Sequence, residues 1–267
     1  MCNRSMGDET FLTQRIAGSW LSTFQAVTGS RAHKPSFVVF DIGQSGCSIM
    51  AEWFRSHEQI TFHPDILSQA VRFPRLSVYQ RVRQAPKAVY GFTVTVEQLR
   101  QVQRLADPHQ FLEDLQRGGC RVIYLKRRDA LRHAIATLKT YSTEAQFELN
   151  PVGAMPRSSK FTVDVSELLD CLKYLDHQRL EAQAMLHGLG HLTLIYEEDL
   201  MDPNSHAYTA EKLSAFLEIE GINPVGHMFK LVHQKLTDIV ANYDELTAGL
   251  QASDYAYLLT NNRYLLT

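Results

Sequence analysis

The stretch Phe37-Val-Val-Phe-Asp-Ile-Gly-Gln-Ser-Gly-Cys-Ser48 decides the fold of this chain. Its apolar, β-branched start reads as a buried strand, which runs into a turn built on Gly43 and Gly46. Ser48-Ile-Met-Ala-Glu-Trp-Phe-Arg-Ser-His57 follows as an amphipathic helical segment. Strand, glycine loop and helix in that order aim free backbone N–H groups and a helix N-terminus at one point, which suits a phosphate or sulfate. The Ser45 and Ser48 hydroxyls add donors. No Lys or Arg lies between Asp41 and Phe54. A kinase-like P-loop would end in Gly-Lys-Ser/Thr, and Gly46-Cys47-Ser48 stands there instead, so a small-substrate kinase is disfavoured.

Outward from this unit, strands and helices alternate. Gln59-Ile-Thr-Phe-His63 reads as a short second strand and Tyr90-Gly-Phe-Thr-Val-Thr-Val96 as a third. A helical stretch to Gln116 stops at Arg117-Gly118-Gly119. Arg121-Val-Ile-Tyr-Leu125 is the next buried strand, followed by the basic turn Lys126-Arg127-Arg128-Asp129 and a helix over Ala130–Tyr141. Thr143–Lys160, with Pro151, Gly153 and Pro156, reads as a long loop. Asp164-x-x-Glu167 is a capping box for a helix to about His187, and His191-Leu-Thr-Leu-Ile-Tyr196 is a further strand. Helical segments near Ala210–Glu220 and Met228–Ala252 close the chain. This order predicts a single α/β domain over 36–267, a mainly parallel sheet flanked by helices. Ahead of it, apolar positions at Phe11, Ile16, Trp20, Leu21 and Phe24 predict an N-terminal helical extension within 1–35.

Composition narrows the classes. Hydrophobic residues make up 45% and charged residues 21% of 267 residues, an ordinary globular balance. A net charge of −2 argues against a general nucleic-acid binder. No apolar run reaches the roughly 18 residues of a membrane span, and the first ten residues show no secretory h-region. The four cysteines, Cys2, Cys47, Cys120 and Cys171, form no Cys-x-x-Cys pair. That spacing disfavours zinc and thioredoxin sites and fits a cytoplasmic protein.

Three places carry chemistry. The Gly43–Ser48 loop is the first. The second is Lys126-Arg127-Arg128-Asp129, at the carboxyl end of a parallel strand, where open α/β sheets bind ligands and where arginine forks suit phosphate oxygens. The third is His63-Pro64-Asp65, which offers a histidine and a carboxylate for general-base work. Gln69–Lys87 carries Arg72, Arg75, Arg81, Arg83 and Lys87 with no acidic residue, and reads as a solvated basic face or an attraction for an anionic acceptor.

Phe37–Ser48, Arg121–Ala136, Ile195–Leu200 and Leu236–Leu246 together resemble the sulfotransferases that use 3′-phosphoadenosine 5′-phosphosulfate (PAPS). The likeness is nearest to the bacterial branch of glycan-modifying and trehalose sulfotransferases. In that family a strand leads into (Arg/Lys)-(Ser/Thr)-Gly-(Ser/Thr)-(Ser/Thr), here Gln44-Ser45-Gly46-Cys47-Ser48. A second signature, an apolar strand ending Leu-x-Arg, appears as Leu125-Lys126-Arg127. A third, Tyr-Glu-Asp-Leu, appears with one extra residue as Tyr196-Glu-Glu-Asp-Leu200. The resemblance implies a P-loop-like sulfotransferase fold with PAPS as co-substrate and no metal. It implies that Gly43 to Ser48 hold the 5′-phosphosulfate and that Arg127, with Lys230 behind it, holds the 3′-phosphate. Asp65 falls where related enzymes place the base, and His63 is the fallback. The acceptor would be a hydroxyl of a glycan, glycolipid or small metabolite.

The departures from the family pattern fall where charge is needed. Gln44 replaces the basic residue of the loop, Thr93 replaces a lysine of the third strand, and Ala136 replaces a serine of the helix after Arg127. Removing one charged transition-state donor typically costs about 2.7–4 kcal/mol. The alternative reading is therefore a non-catalytic, sulfotransferase-like nucleotide-binding or scaffold protein.

Overall fold

Every residue of the strand Ser36–Asp41 (β1) is buried, as a strand covered on both faces requires. Its side chains alternate between two cores. Val38 and Phe40 join one, while Phe37 and Val39 join the other. Full burial of each such side chain contributes about 1.5–3 kcal/mol. The computed structural model describes residues 34–149, 160–224 and 235–260. The expected helix over 11–27 and Lys230 lie outside them.

Four further strands are Ile60–His63 (β2), Val89–Thr95 (β3), Cys120–Lys126 (β4) and His191–Ile195 (β5). All neighbours pair in parallel, in the order β2-β3-β1-β4-β5. The helices are Cys47–Ser56 (α1), Pro74–Gln84 (α2), Pro108–Arg117 (α3), Ala130–Leu149 (α4), Val165–Leu186 (α5), His206–Leu217 (α6), Leu236–Ile239 (α7), Tyr243–Gln251 (α8) and Tyr257–Thr260 (α9). Helices α1 and α6 pack on one face of the sheet through Trp53, Phe54, Leu213 and Leu217. Helices α2 to α5 cover the other, through residues such as Val78, Leu112, Leu131 and Leu172. This is the single α/β domain with a parallel sheet that the sequence pattern predicts. Among the described residues no helix is long and apolar enough to cross a membrane.

Several boundaries differ from the expectations. Helix α4 runs on to Leu149, so residues 143–149 are not loop. Thr-Glu-Ala-Gln-Phe-Glu-Leu contains no helix breaker, and the first proline comes only at Pro151. The helical stretch before Gln116 is broken into a π-helical turn Gln98–Val102 and helix α3. Asp107 accepts the Gln110 N–H at 2.9 Å and Pro108 follows it, a fresh helix start. The expected helix Met228–Ala252 is broken in its described part: Val240 leaves α7 to bridge Phe161 before α8 begins. Strand β5 ends at Ile195, and Tyr196 opens a π-helical turn to Leu200. The N-cap half of the expected capping box is present, with Asp164 Oδ1 accepting the Glu167 N–H at 3.0 Å.

The order β2-β3-β1-β4-β5 has a consequence for ligands. After β1 the chain moves toward β2 and β3, whereas after β4 it moves the opposite way, to β5. The crevice between the carboxyl ends of β1 and β4 is thus the topological switch point. The glycine loop and the 126–129 turn are its two walls.

Candidate anion site at the sheet switch point

The loop after β1 is held in an unusual backbone conformation. Gly43, Gln44 and Gly46 have φ of 86°, 47° and 90°. A left-handed Gly46 followed by the helical Cys47 is the backbone alternation of an anion nest. Gly46 precedes helix α1 in left-handed conformation and offers it no side-chain cap. Of the first N–H groups of α1, that of Ile49 bonds the Gly46 carbonyl at 3.2 Å, and no side chain caps those of Cys47 and Ser48. Gly46 has a second constraint, because a Cβ there would overlap the Tyr196 ring.

Gly43 is clamped from three directions. Its N–H donates to Asp41 Oδ1 at 2.8 Å. Its carbonyl accepts from the Ser45 hydroxyl at 3.0 Å and from His133 Nε2 at 2.8 Å. The Ser45 hydroxyl thus turns its proton inward rather than toward a ligand, while Ser48 stays exposed. His133 is fully buried. Burial above all, with the nearby Arg127 charge, pulls its pKa down to about 3. A neutral ring carrying its proton on Nε2 is what the Gly43 carbonyl requires.

Asp41 is 3% exposed. Burial raises its carboxyl to a pKa of about 7, the Gly43 N–H opposes that, and the Asp65 charge adds to it. The Cys47 thiol is likewise pushed up, by burial first and then by Asp41 and Asp65. The floor of the loop is acidic.

The other wall carries an acceptor of its own. The carboxylate of Glu197 accepts the N–H groups of Arg128 at 2.8 Å and Asp129 at 3.2 Å. Asp129 Oδ1 accepts the Arg132 N–H at 2.9 Å. A side chain of this chain therefore occupies the backbone donors of Arg128 and Asp129, which are not left for a ligand. What the turn offers is Arg127. That guanidinium lies 3.6 Å from Glu197, stacks on the Tyr196 ring at 4.6 Å and donates to the Gln44 carbonyl at 3.3 Å. A cation from β4 thus reaches the loop whose own position 44 carries none. Arg128 pairs with Glu198, and Lys126 is exposed at the strand end.

Asp65, in left-handed conformation at φ 52°, lies on the other side of β1. Its N–H donates to Thr93 Oγ1 at 2.8 Å, and its carboxylate accepts from Thr93 at 3.3 Å and from Gln98 Nε2 at 3.1 Å. Thr93 therefore orients Asp65 at the position where the family pattern has a lysine. His63 is not brought to this group. Its Nδ1 faces the Tyr90 hydroxyl at 3.3 Å, and Tyr90 pairs in register with Ser36, at the far end of β1. Beside Ala136, the Thr137 hydroxyl is turned to the His133 carbonyl at 2.9 Å. The basic stretch after Gln69 is no single patch either: Arg75 pairs with Asp114, and Lys87 donates to the His57 carbonyl at 2.8 Å.

No family model matches the chain, and no curated protein matches it. Among solved structures it is similar to the crystal structure of mouse sulfotransferase SULT7A1 complexed with PAP. That match has 13% sequence identity and a TM-score of 0.44, covering 86% of this chain and 88% of that chain. The site rests on its own geometry.

Four residues of that geometry carry no role in the sequence reading. Asp41 and Glu197 lie inside quoted motifs, but alone they read as a strand end and an acidic turn. His133 lies in the Arg121–Ala136 stretch but at no signature position, Gln98 lies in no motif, and only the packing of α4 and the π-helical turn brings them in.

Proposed function

We propose that the protein is a PAPS-dependent sulfotransferase acting on a hydroxyl of a glycan, glycolipid or small metabolite. The observation that supports it is the uncapped glycine loop at the switch point, with the Arg127 guanidinium on one side and the oriented Asp65 carboxylate on the other. In this reading Gln44 to Ser48 hold the 5′-phosphosulfate through backbone N–H groups and the Ser48 hydroxyl, while Gly43, its N–H taken by Asp41, shapes the loop. Arg127 faces phosphate oxygens, and Lys230 joins it on the family resemblance alone. Asp65 accepts the acceptor's proton as its oxygen bonds to sulfur. The bridging O–S bond breaks and adenosine 3′,5′-bisphosphate leaves. Sulfuryl transfer resembles phosphoryl transfer, so positioning and charge stabilisation supply most of the catalysis.

A second reading, nucleotide binding without turnover, is favoured by a specific observation. Arg127 already contacts the Gln44 carbonyl and Glu197, and residues 42–53 contain no other cation. Calorimetry with adenosine 3′,5′-bisphosphate tests what the two readings share: absence of binding defeats both. Turnover of labelled PAPS against pooled glycans and lipids separates them. Transfer that is lost in Asp65→Ala supports the enzyme. Binding without transfer, with activity gained in Gln44→Lys, supports the second reading.

A further inference from the structure

The loop that receives an anion in this reading also has a carboxyl group beneath it. Asp41 Oδ1 takes the Gly43 N–H, while no described residue bonds to Oδ2. Burial leaves this carboxyl with little water to screen it. No cation is among the groups that set its protonation: they are burial, the Gly43 N–H and Asp65. A dianion placed on the loop next to an ionised Asp41 would meet like charge that only Arg127 opposes, a cation already shared with Glu197, and Gln44 has no charge to add.

We propose that the loop binds its anion together with one proton, taken from solvent by Asp41 at Oδ2, so that a carboxylic O–H stands in for the missing loop cation. The inference rests on the anion-site reading above. Oδ1 keeps the Gly43 N–H, and the new O–H at Oδ2 donates to an anion oxygen. Atoms and charge balance: carboxylate, proton and free anion become carboxylic acid and bound anion.

The surrounding groups leave this role to Asp41. From α4, His133 is neutral and committed to Gly43, with a pKa of about 3. From α1, the Cys47 thiol is held protonated. From β4, burial raises the Tyr124 phenol, with Arg179 opposing and Asp41 adding to the shift. From the segment after β2, Asp65 contributes negative charge. From β3, the register partner of Asp41 is the uncharged Thr95. Arg127, whose charge also bears on His133, reaches the Gln44 carbonyl and is not among the groups acting on Asp41.

Sulfate is the test ligand, because it stays dianionic throughout the range, whereas a phosphate monoester titrates near pH 6. Calorimetry of the full chain with sulfate, in buffers of different ionisation heat, should show about one proton taken up per anion above pH 7. Affinity should fall about tenfold per pH unit from pH 7 to 9. Asp41→Asn keeps an acceptor for Gly43 and a donor for the anion. It should remove both effects, binding at pH 8 as the unmodified protein does at pH 6. Asp65→Asn should keep the slope and move its midpoint to lower pH. Carbon NMR of the Asp41 carboxyl in the unmodified protein, with and without sulfate at pH 8, reads the proton without any substitution. Sulfate binding with flat affinity and an unprotonated Asp41 overturns this inference while leaving the anion site standing. Failure of sulfate and adenosine 3′,5′-bisphosphate to bind at any pH overturns both.

Discussion

The two walls of the switch-point crevice are built from the same kind of sequence and reach opposite ends. Each is a strand end running into a helix with backbone donors exposed. At the 126–129 turn the chain supplies its own anion, since Glu197 holds the N–H groups of Arg128 and Asp129. At the 43–48 loop no described side chain caps α1, and the nearby Asp41 carboxyl is bonded among the described residues to Gly43 alone. A strand–turn–helix pattern thus marks where an anion can be held. Whether a ligand or a side chain of the same protein supplies it depends on what the rest of the fold brings there.

Emptying the filled wall should have the largest effect. Glu197→Ala strands two N–H groups and the Arg127 charge in a buried setting and should cost about 3–5 kcal/mol, measured by urea unfolding. If it still folds, it should gain a second sulfate site. A loss under 1 kcal/mol would mean that the turn does not depend on Glu197.

Protonation of the loop floor comes next. The Asp41 carboxyl is raised from 3.8 to about 7, so the folded protein holds this proton more tightly than the unfolded chain. Its ionisation therefore erodes stability as pH rises from about 4 to 7, by up to on the order of 4 kcal/mol, and the loss persists above 7. Asp41→Asn should be the more stable protein at pH 8 and converge with the original near pH 4. His133 works in the opposite sense. Its pKa falls from 6.5 to about 3, so the unfolded chain takes the proton first and acid erodes stability between those values. A His133→Gln protein should lose that acid sensitivity in thermal melts from pH 6 down to 4.

Arg127→Ala tests the cation that, among the described residues, links the walls. It should weaken adenosine 3′,5′-bisphosphate binding by about 2 kcal/mol, the worth of a charge-assisted hydrogen bond, in calorimetry. Unchanged affinity would detach Arg127 from the site. The smallest effect is expected at Gly43, where a Cβ meets no atom within 4 Å and φ is +86°. Only backbone strain opposes Gly43→Ala, so about 1 kcal/mol should be lost in urea unfolding.

The fold class was legible in the sequence because its signals are local. Apolar runs such as Phe37–Phe40 and Val122–Leu125 read as buried strands, Gly43 and Gly46 as a turn, and Asp164 as a cap. Each depends on residues within one or two turns of one another. Local signals are weak or contested elsewhere. The last turns of α4 have no marker at residue 143, and His63, two residues from Asp65 in the chain, turns its ring to Tyr90.

By itself, then, the sequence determined a parallel α/β domain with a glycine loop that has no cation of its own. The tertiary structure decided the electrostatics of that loop. Asp41 is buried under it, Arg127 arrives from β4, Thr93 and Gln98 orient Asp65, and Glu197 fills the neighbouring turn. These facts depend on long-range packing and on the exclusion of water, which set the strength of every charge and cannot be read from neighbours in the chain.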